Sequence, residues 1–201
     1  MSGFEERLLS LLSFTEKEPG RVAHELALRY LTPERLAVAD YTELVGTLGL
    51  SEKTARLLRL SVVLTSRART EKFSFGKAHT EGEILDFLKG LYYGVPNETV
   101  YMLIFDGEMR VRSLEFIGDG TVNSSGVLPR KMLELLLADK KNKRAIIAHN
   151  HPGGFAKASV EDMDVTAKVA SLFHTAGMEL ICHYVIAGNS HYKIDPNAQK
   201  Y

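Results

Sequence analysis

The strongest constraint on the fold is a change in the spacing of apolar residues near residue 75. Before it, leucines recur at helical spacing (Leu8, Leu9, Leu11 and Leu12, then Leu26, Leu28 and Leu31), and no strand-like run interrupts them. These leucines read as core. Thr32-Pro33-Glu34 sets a capping hydroxyl ahead of a proline suited to a first helical turn, and Ser51-Glu52 opens a segment running towards Arg69. Val45-Gly46-Thr47-Leu48-Gly49-Leu50 reads as the tight turn between two helices. After residue 80 helical patterns and continuous apolar runs interleave. Thr80-x-x-Glu83 is a capping box opening the helix ILDFLKGLYY. Thr99–Phe105 is a buried strand, Asp106-Gly107 a tight turn, and MRVRSLEFIG the second strand of a hairpin. Pro129–Asp139 reads as a helix with Met132, Leu133, Leu136 and Leu137 inward, and Ser159–Thr175 as another. Arg144–Ala148, Leu180–Ala187 and His191–Ile194 read as strands. The expectation is a small all-α domain over 1–72, a polar linker over 73–79 with Phe73 and Phe75 available to dock it, and an α/β domain over 80–201. That last domain is a mixed sheet with helical cover.

Composition narrows the class. Hydrophobic residues make up 45% of the 201, enough for a packed core. Cys182 is the single cysteine, so a disulfide framework is excluded and a cytoplasmic, reducing compartment is expected. No window approaches the ~18 consecutive apolar residues of a membrane span, so no membrane partner is expected. The formal net charge is zero, which argues against whole-molecule attraction to nucleic acid. Basic residues nevertheless gather locally: Lys53, Arg56, Arg59, Arg67, Arg69 and Lys72. Such a stripe reads either as a phosphate-contacting face or as a solvated helix face.

The chemistry concentrates in Ala145-Ile-Ile-Ala-His149-Asn150-His151-Pro152-Gly153-Gly154 and the following Ser159-x-x-Asp162. An apolar strand carries His149 to its end. Side chains alternate along a strand, so His149 and His151 point to one side. Pro152 and two glycines turn the chain, and Asp162 returns one helical turn into the next element. Two imidazoles and one carboxylate make a zinc site with one tetrahedral position open, as catalytic zinc requires. By spacing alone a plainer reading stands beside it: two polar loop histidines, and a Ser-x-x-Asp capping box that needs no metal. Cys182 and His183 are neighbours on a strand, face opposite sides, and so cannot form a thiol–imidazole dyad; Cys182 reads as core.

His149-x-His151-Pro152, the glycine-rich turn, Ser159-x-x-Asp162 and a helix containing Thr166 resemble the JAMM (JAB/MPN) metalloprotease motif in the form found in RadC proteins. Gly120-Thr121-Val122-Asn123-Ser124-Ser125, Pro129-Arg130 and His183-Tyr-Val-Ile-Ala-Gly188 resemble further RadC landmarks in the same order, and the likeness covers about residues 80–195. The resemblance implies a JAMM/cytidine-deaminase-like three-layer fold and a zinc-dependent hydrolase whose metal-bound water attacks a peptide or isopeptide bond. It implies zinc ligation by His149, His151 and Asp162, oxyanion stabilisation by Ser159, and a glutamate base near the first strand. Glu98 matches that base best, with Glu115 and Glu134 as competitors. RadC proteins commonly carry glutamate at the position of Lys131, serine at Gly153, proline at Ala158 and aspartate at Cys182, departures that leave every metal ligand in place and mark this chain as a divergent member.

RadC proteins often begin with a helix-hairpin-helix module whose Gly-x-Gly turn meets DNA phosphate. Here the second glycine is Ser51, so the resemblance implies a degenerate module with weak DNA contact through Lys53, Arg56 and Arg59. The rival expectation is thus a DNA-associated repair or recombination protein whose JAMM-like domain is mainly structural. The other expected partner is a peptide or protein substrate.

Overall fold

The computed structural model describes residues 2–46, 49–120 and 127–198. In the first half, α1 (Gly3–Leu12), α2 (Pro19–Tyr30), α3 (Pro33–Ala37), α4 (Tyr41–Gly46) and α5 (Glu52–Thr70) enclose a core of Leu8, Leu12, Val22, Leu26, Leu44, Ala55 and Leu58. The local chemistry sets their starts. Thr32 caps α3 with proline in its first turn, and Ser51 caps α5 by accepting from the Thr54 backbone N–H. Thr47 and Leu48 of the expected inter-helix turn lie outside the described residues. Reading all the leucines as core was too broad: Leu28 is 64% exposed and Leu31 59%. Val22, Leu26 and Tyr30 share the inward face of α2 at four-residue spacing, and Leu28 falls on the opposite side.

The second half contributes α6 (Glu81–Tyr92), β1 (Thr99–Asp106), β2 (Val111–Asp119), α7 (Val127–Leu137), β3 (Asn142–Asn150), α8 (Val160–Thr175), β4 (Glu179–Ala187) and β5 (Ser190–Ile194). The strands form a five-stranded mixed sheet in the order β2-β1-β3-β4-β5. Only the β3–β4 pairing is parallel, and α8 supplies the crossover it demands. The pleat sorts the core into two layers. Leu103, Phe105, Ile146, Ala148, Cys182, Tyr184 and Ile186 face α6. Val100, Met102, Ile104, Ala145, Ile147 and Leu180 face α7 and α8. This is the α/β/α three-layer arrangement that the resemblance implies. Leu137, expected inward, is 49% exposed at the last residue of α7, because Met132 and Leu136 already fill the inward face.

Residues 73–79 run beside the start of β2: the Gly76 N–H donates to the Val111 carbonyl at 2.7 Å, and the Val111 N–H to Lys77 at 2.9 Å. Phe73 stacks between Phe87 of α6 and His79, with centroids 4.0 and 4.1 Å away. The two halves meet where α5 packs on α6. The approach needs glycine, since a Cβ at Gly90 would fall 2.5 Å from the Arg69 Cβ. No helix among the described residues is long and apolar enough to cross a membrane.

Candidate metal centre

β3 lies between β1 and β4, so His149, near its end, is enclosed: it pairs with Val100 on one side and Val185 on the other, and is 1% exposed. The His151 N–H donates to the Ile186 carbonyl at 2.8 Å, which carries the strand geometry one residue past β3 and keeps His151 on the side of His149. The positive φ of Gly153, +66°, then turns the chain away. Asp162 arrives in the first turn of α8, on the face packed against the same sheet layer. The centre therefore sits at the carboxyl ends of the parallel pair, where open α/β sheets place their ligands.

The donor atoms converge. His149 Nε2 lies 3.0 Å from His151 Nε2 and 3.3 Å from Asp162 Oδ1. Three ligands at the ~2.0–2.1 Å of tetrahedral zinc are about 3.3 Å apart, which both His149 separations approach, while the nearest His151–Asp162 contact, Nε2 to Oδ2, is longer at 3.9 Å. The His151 Nδ1 faces the Phe155 carbonyl at 3.2 Å; a carbonyl only accepts, so the His151 hydrogen sits on Nδ1 and its Nε2 is a bare lone pair. Asp162 Oδ2 is held by the backbone N–H and the hydroxyl of Ser159, at 2.8 and 2.7 Å, and is also the oxygen nearer His151, at 3.9 Å, while Oδ1 faces His149. The donor set fits a divalent metal. The His149 and Asp162 side chains are 1% and 5% exposed, whereas that of His151 is 22% exposed, so the centre opens to solvent on the His151 side. Beside it a cleft of about 440 Å³ runs between the loop His151–Phe155 and Leu31, Glu34 and Arg35 of the N-terminal helices.

Electrostatics suit ligation. Burial pushes the His149 imidazole down to about 4, against the pull of Asp162, so it is neutral near pH 7. Burial also lowers His183, to about 3. Burial works the other way on Asp162, but His149 beside it and the bonds from Ser159 hold the carboxyl below its ordinary value.

Both readings of Ser159-x-x-Asp162 are physically present, since the same pair is a capping box and a ligand mount. The Ser159 hydroxyl points at Asp162 here, and must turn before it could face an oxyanion. Glu98 lies two residues ahead of Val100, the β1 partner of His149, and lines a shallow cleft with Asn97, Asp119 and Pro152. It is not among the converging donors. Its backbone is pinned from both sides. The Asn150 amide donates to the Asn97 carbonyl at 3.0 Å and accepts from the Thr99 N–H at 2.8 Å, while the Gly120 N–H donates to the Glu98 carbonyl at 2.8 Å. Glu115 sits mid-strand opposite Met102, and Glu134 is paired with Arg130 on the exposed face of α7.

Two residues to which the sequence assigned no role complete the centre. His183 Nε2 is 2.8 Å from His149 Nδ1, and Thr166 Oγ1 is 2.7 Å from His183 Nδ1. Thr166 was part of the JAMM-like motif, and its place four residues after Asp162, one turn on along the same face, was the signal of its role. His183 stood out only as the head of the RadC-like run His183–Gly188; that it stands behind His149 needed the β3–β4 pairing. Its neighbour Cys182 faces the α6 layer, where burial pushes the thiol up to about 11. Lys131 donates to the Phe116 and Ile117 carbonyls, tying α7 to β2. Thr121–Ser125 of the glycine-led landmark lie outside the described residues. Of the basic residues singled out on α5, Lys53 is exposed, Arg56 pairs with Glu52, and Arg59 donates to the Ala37 carbonyl.

Residues 78–198 match the RadC-like JAB domain family. A UPF0758 protein of Dechloromonas aromatica is 28% identical over 156 residues, spanning 77% of this chain and 69% of that protein. One from Shewanella halifaxensis is 28% identical over 152 residues, spanning 75% and 67%. One from Legionella pneumophila (strain Lens) is 35% identical over 109 residues, spanning 54% of this chain and 47% of its own length.

Proposed function

Because this chain belongs to the RadC-like JAB domain family, we propose that it is a zinc-dependent hydrolase acting on a peptide or isopeptide bond. The observation that carries the reading is the convergence of the His149 and His151 imidazoles and the Asp162 carboxylate at one sheet end. Zinc held by His149, His151 and Asp162 would supply a Lewis acid and would acidify a bound water to a pKa of about 7. His149 is held by the strands on either side of it, and His151 by its Ile186 and Phe155 contacts, so the first two ligands arrive without rearrangement. Asp162 offers one oxygen and keeps the other on Ser159. Glu98, at the entrance to β1, is the residue to take a proton from the attacking water and return it to the leaving amine. Ser159, once turned from Asp162, is the donor for the developing oxyanion. Elemental analysis of gently purified protein tests the reading: about one zinc per chain is expected, and a His149→Ala/His151→Ala variant that keeps full metal would refute the assignment.

A second reading, DNA contact through the first turns of α5, is favoured by the exposure of Lys53 and Arg56 there. Mobility-shift titration over a salt series separates the two. Tight binding that weakens steeply with salt and is lost in a Lys53→Ala/Arg56→Ala variant supports DNA contact; salt-insensitive or absent binding removes it.

A further inference from the structure

We propose that Thr166 and His183 are positioning residues for the metal centre: a one-way chain of hydrogen bonds, starting at the Asp162 carbonyl, fixes His149 as the tautomer whose Nε2 lone pair faces the metal. The inference rests on the reading of His149 as a ligand.

The direction follows link by link. Thr166 Oγ1 lies 2.6 Å from the Asp162 carbonyl oxygen. A carbonyl only accepts, so the hydroxyl hydrogen lies on that contact. The same hydroxyl oxygen is 2.7 Å from His183 Nδ1. With its one hydrogen committed, Thr166 accepts there, and His183 Nδ1 carries the hydrogen. His183 is 0% exposed, and no carboxylate is bonded to it among the described residues, so its ring is neutral and has one N–H. Its Nε2 is therefore an acceptor, 2.8 Å from His149 Nδ1, and the hydrogen on that contact belongs to His149. A neutral His149 bearing Nδ1–H has a bare Nε2, the atom 3.0 Å from His151 Nε2 and 3.3 Å from Asp162 Oδ1.

The chain begins and ends on one residue: the Asp162 carbonyl sets the tautomer, and the Asp162 carboxylate faces the lone pair that results. Two bare imidazole nitrogens 3.0 Å apart beside a carboxylate repel one another until a cation lies between them. Without Thr166 and His183 the ring could relieve that repulsion by moving its hydrogen to Nε2, the atom the metal needs. Thr166 and His149 are each 1% exposed, so water does not compete for these bonds. Partners of this kind, outside the ligand set, fix ring orientation and raise ligand basicity.

Long-range proton–nitrogen correlation spectra of the metal-free full chain show which nitrogen of each ring carries hydrogen. Nδ1–H is expected for both His149 and His183; Nε2–H on His149 overturns the proposal. Thr166→Val keeps the side-chain shape, removes the hydroxyl, and is expected to lower zinc affinity 10- to 100-fold, with Thr166→Ser restoring it. A Thr166→Val protein that melts like the parent and binds zinc equally well also overturns it. Should Thr166→Val fail to fold, the parent spectra still decide. Absence of zinc binding by the parent itself would sink the metal reading instead, and the tautomers would remain readable.

Discussion

The starts of α6 and α8 carry the same four-residue device, with opposite fates. Thr80-x-x-Glu83 and Ser159-x-x-Asp162 are both complete capping boxes, each with a hydroxyl accepting from the third helical N–H and a carboxylate reaching back. At α6 the Glu83 carboxylate lies at the surface, and the helix is seated by packing: Ile84, Leu85, Phe87 and Leu88 on the sheet, and Gly90 against α5. At α8 the Asp162 carboxylate is buried and faces two imidazoles, Oδ1 towards His149 and Oδ2 towards His151. The difference teaches that a capping box becomes a ligand mount through what the neighbouring strand presents to it, not through its own sequence.

The sharpest way to break the comparison is to neutralise both carboxylates. Asp162→Asn is expected to abolish stoichiometric zinc binding, a larger effect than the 10- to 100-fold typical of residues outside the ligand set, while Glu83→Gln leaves zinc content unchanged. Elemental analysis of both variants checks this, and equal zinc in the two would remove Asp162 from the ligand set. Next in size is Glu98→Gln. It should keep its metal yet lose on the order of 10²–10⁴ in hydrolytic rate, the range of general acid–base catalysis, measured against a peptide substrate panel. If activity survives and Glu115→Gln loses it, the base is Glu115.

Gly90→Ala tests how α6 is seated. The new methyl would meet the Arg69 Cβ, so a stability loss of about 1–3 kcal/mol is expected from overpacking, with zinc affinity intact. Urea unfolding with and without zinc separates the two readouts, and an unchanged midpoint would show that α5 and α6 are not held as closely as described. The smallest effects are those of the caps. Thr80→Ala and Ser159→Ala should each cost ~1 kcal/mol of stability. Only Ser159→Ala should also weaken zinc, because it frees Asp162 Oδ2. Identical behaviour of the two variants would mean that Ser159 does nothing beyond capping.

Much of this was legible beforehand because the signals are local. Strand alternation put His149 and His151 on one side, and the Ser-x-x-Asp spacing started α8 where it starts. The sheet elements follow from apolar runs that must be buried. The misreadings Leu28 and Leu137 share a cause: a leucine at helical spacing reveals that a face exists, but which neighbours already fill the core is a property of the assembled helices, whereas Leu31 lies past the end of α2, where its positive φ turns the chain. Asn150 makes the same point. The sequence assigned it no role between two histidines, and on the other face of β3 it binds the Asn97 carbonyl and the Thr99 N–H and so fixes the approach of Glu98.

The sequence by itself determined the order of elements, the caps, and the residue types able to bind a metal, because each depends on contacts within a few residues along the chain. The tertiary structure alone decided that Asp162 Oδ1 comes within 3.3 Å of His149, that His183 stands behind that ring, and that the N-terminal helices wall the cleft beside His151. Those relations depend on the parallel pairing of β3 with β4 and on the seating of α5 against α6, contacts between segments far apart in the chain that no local period encodes.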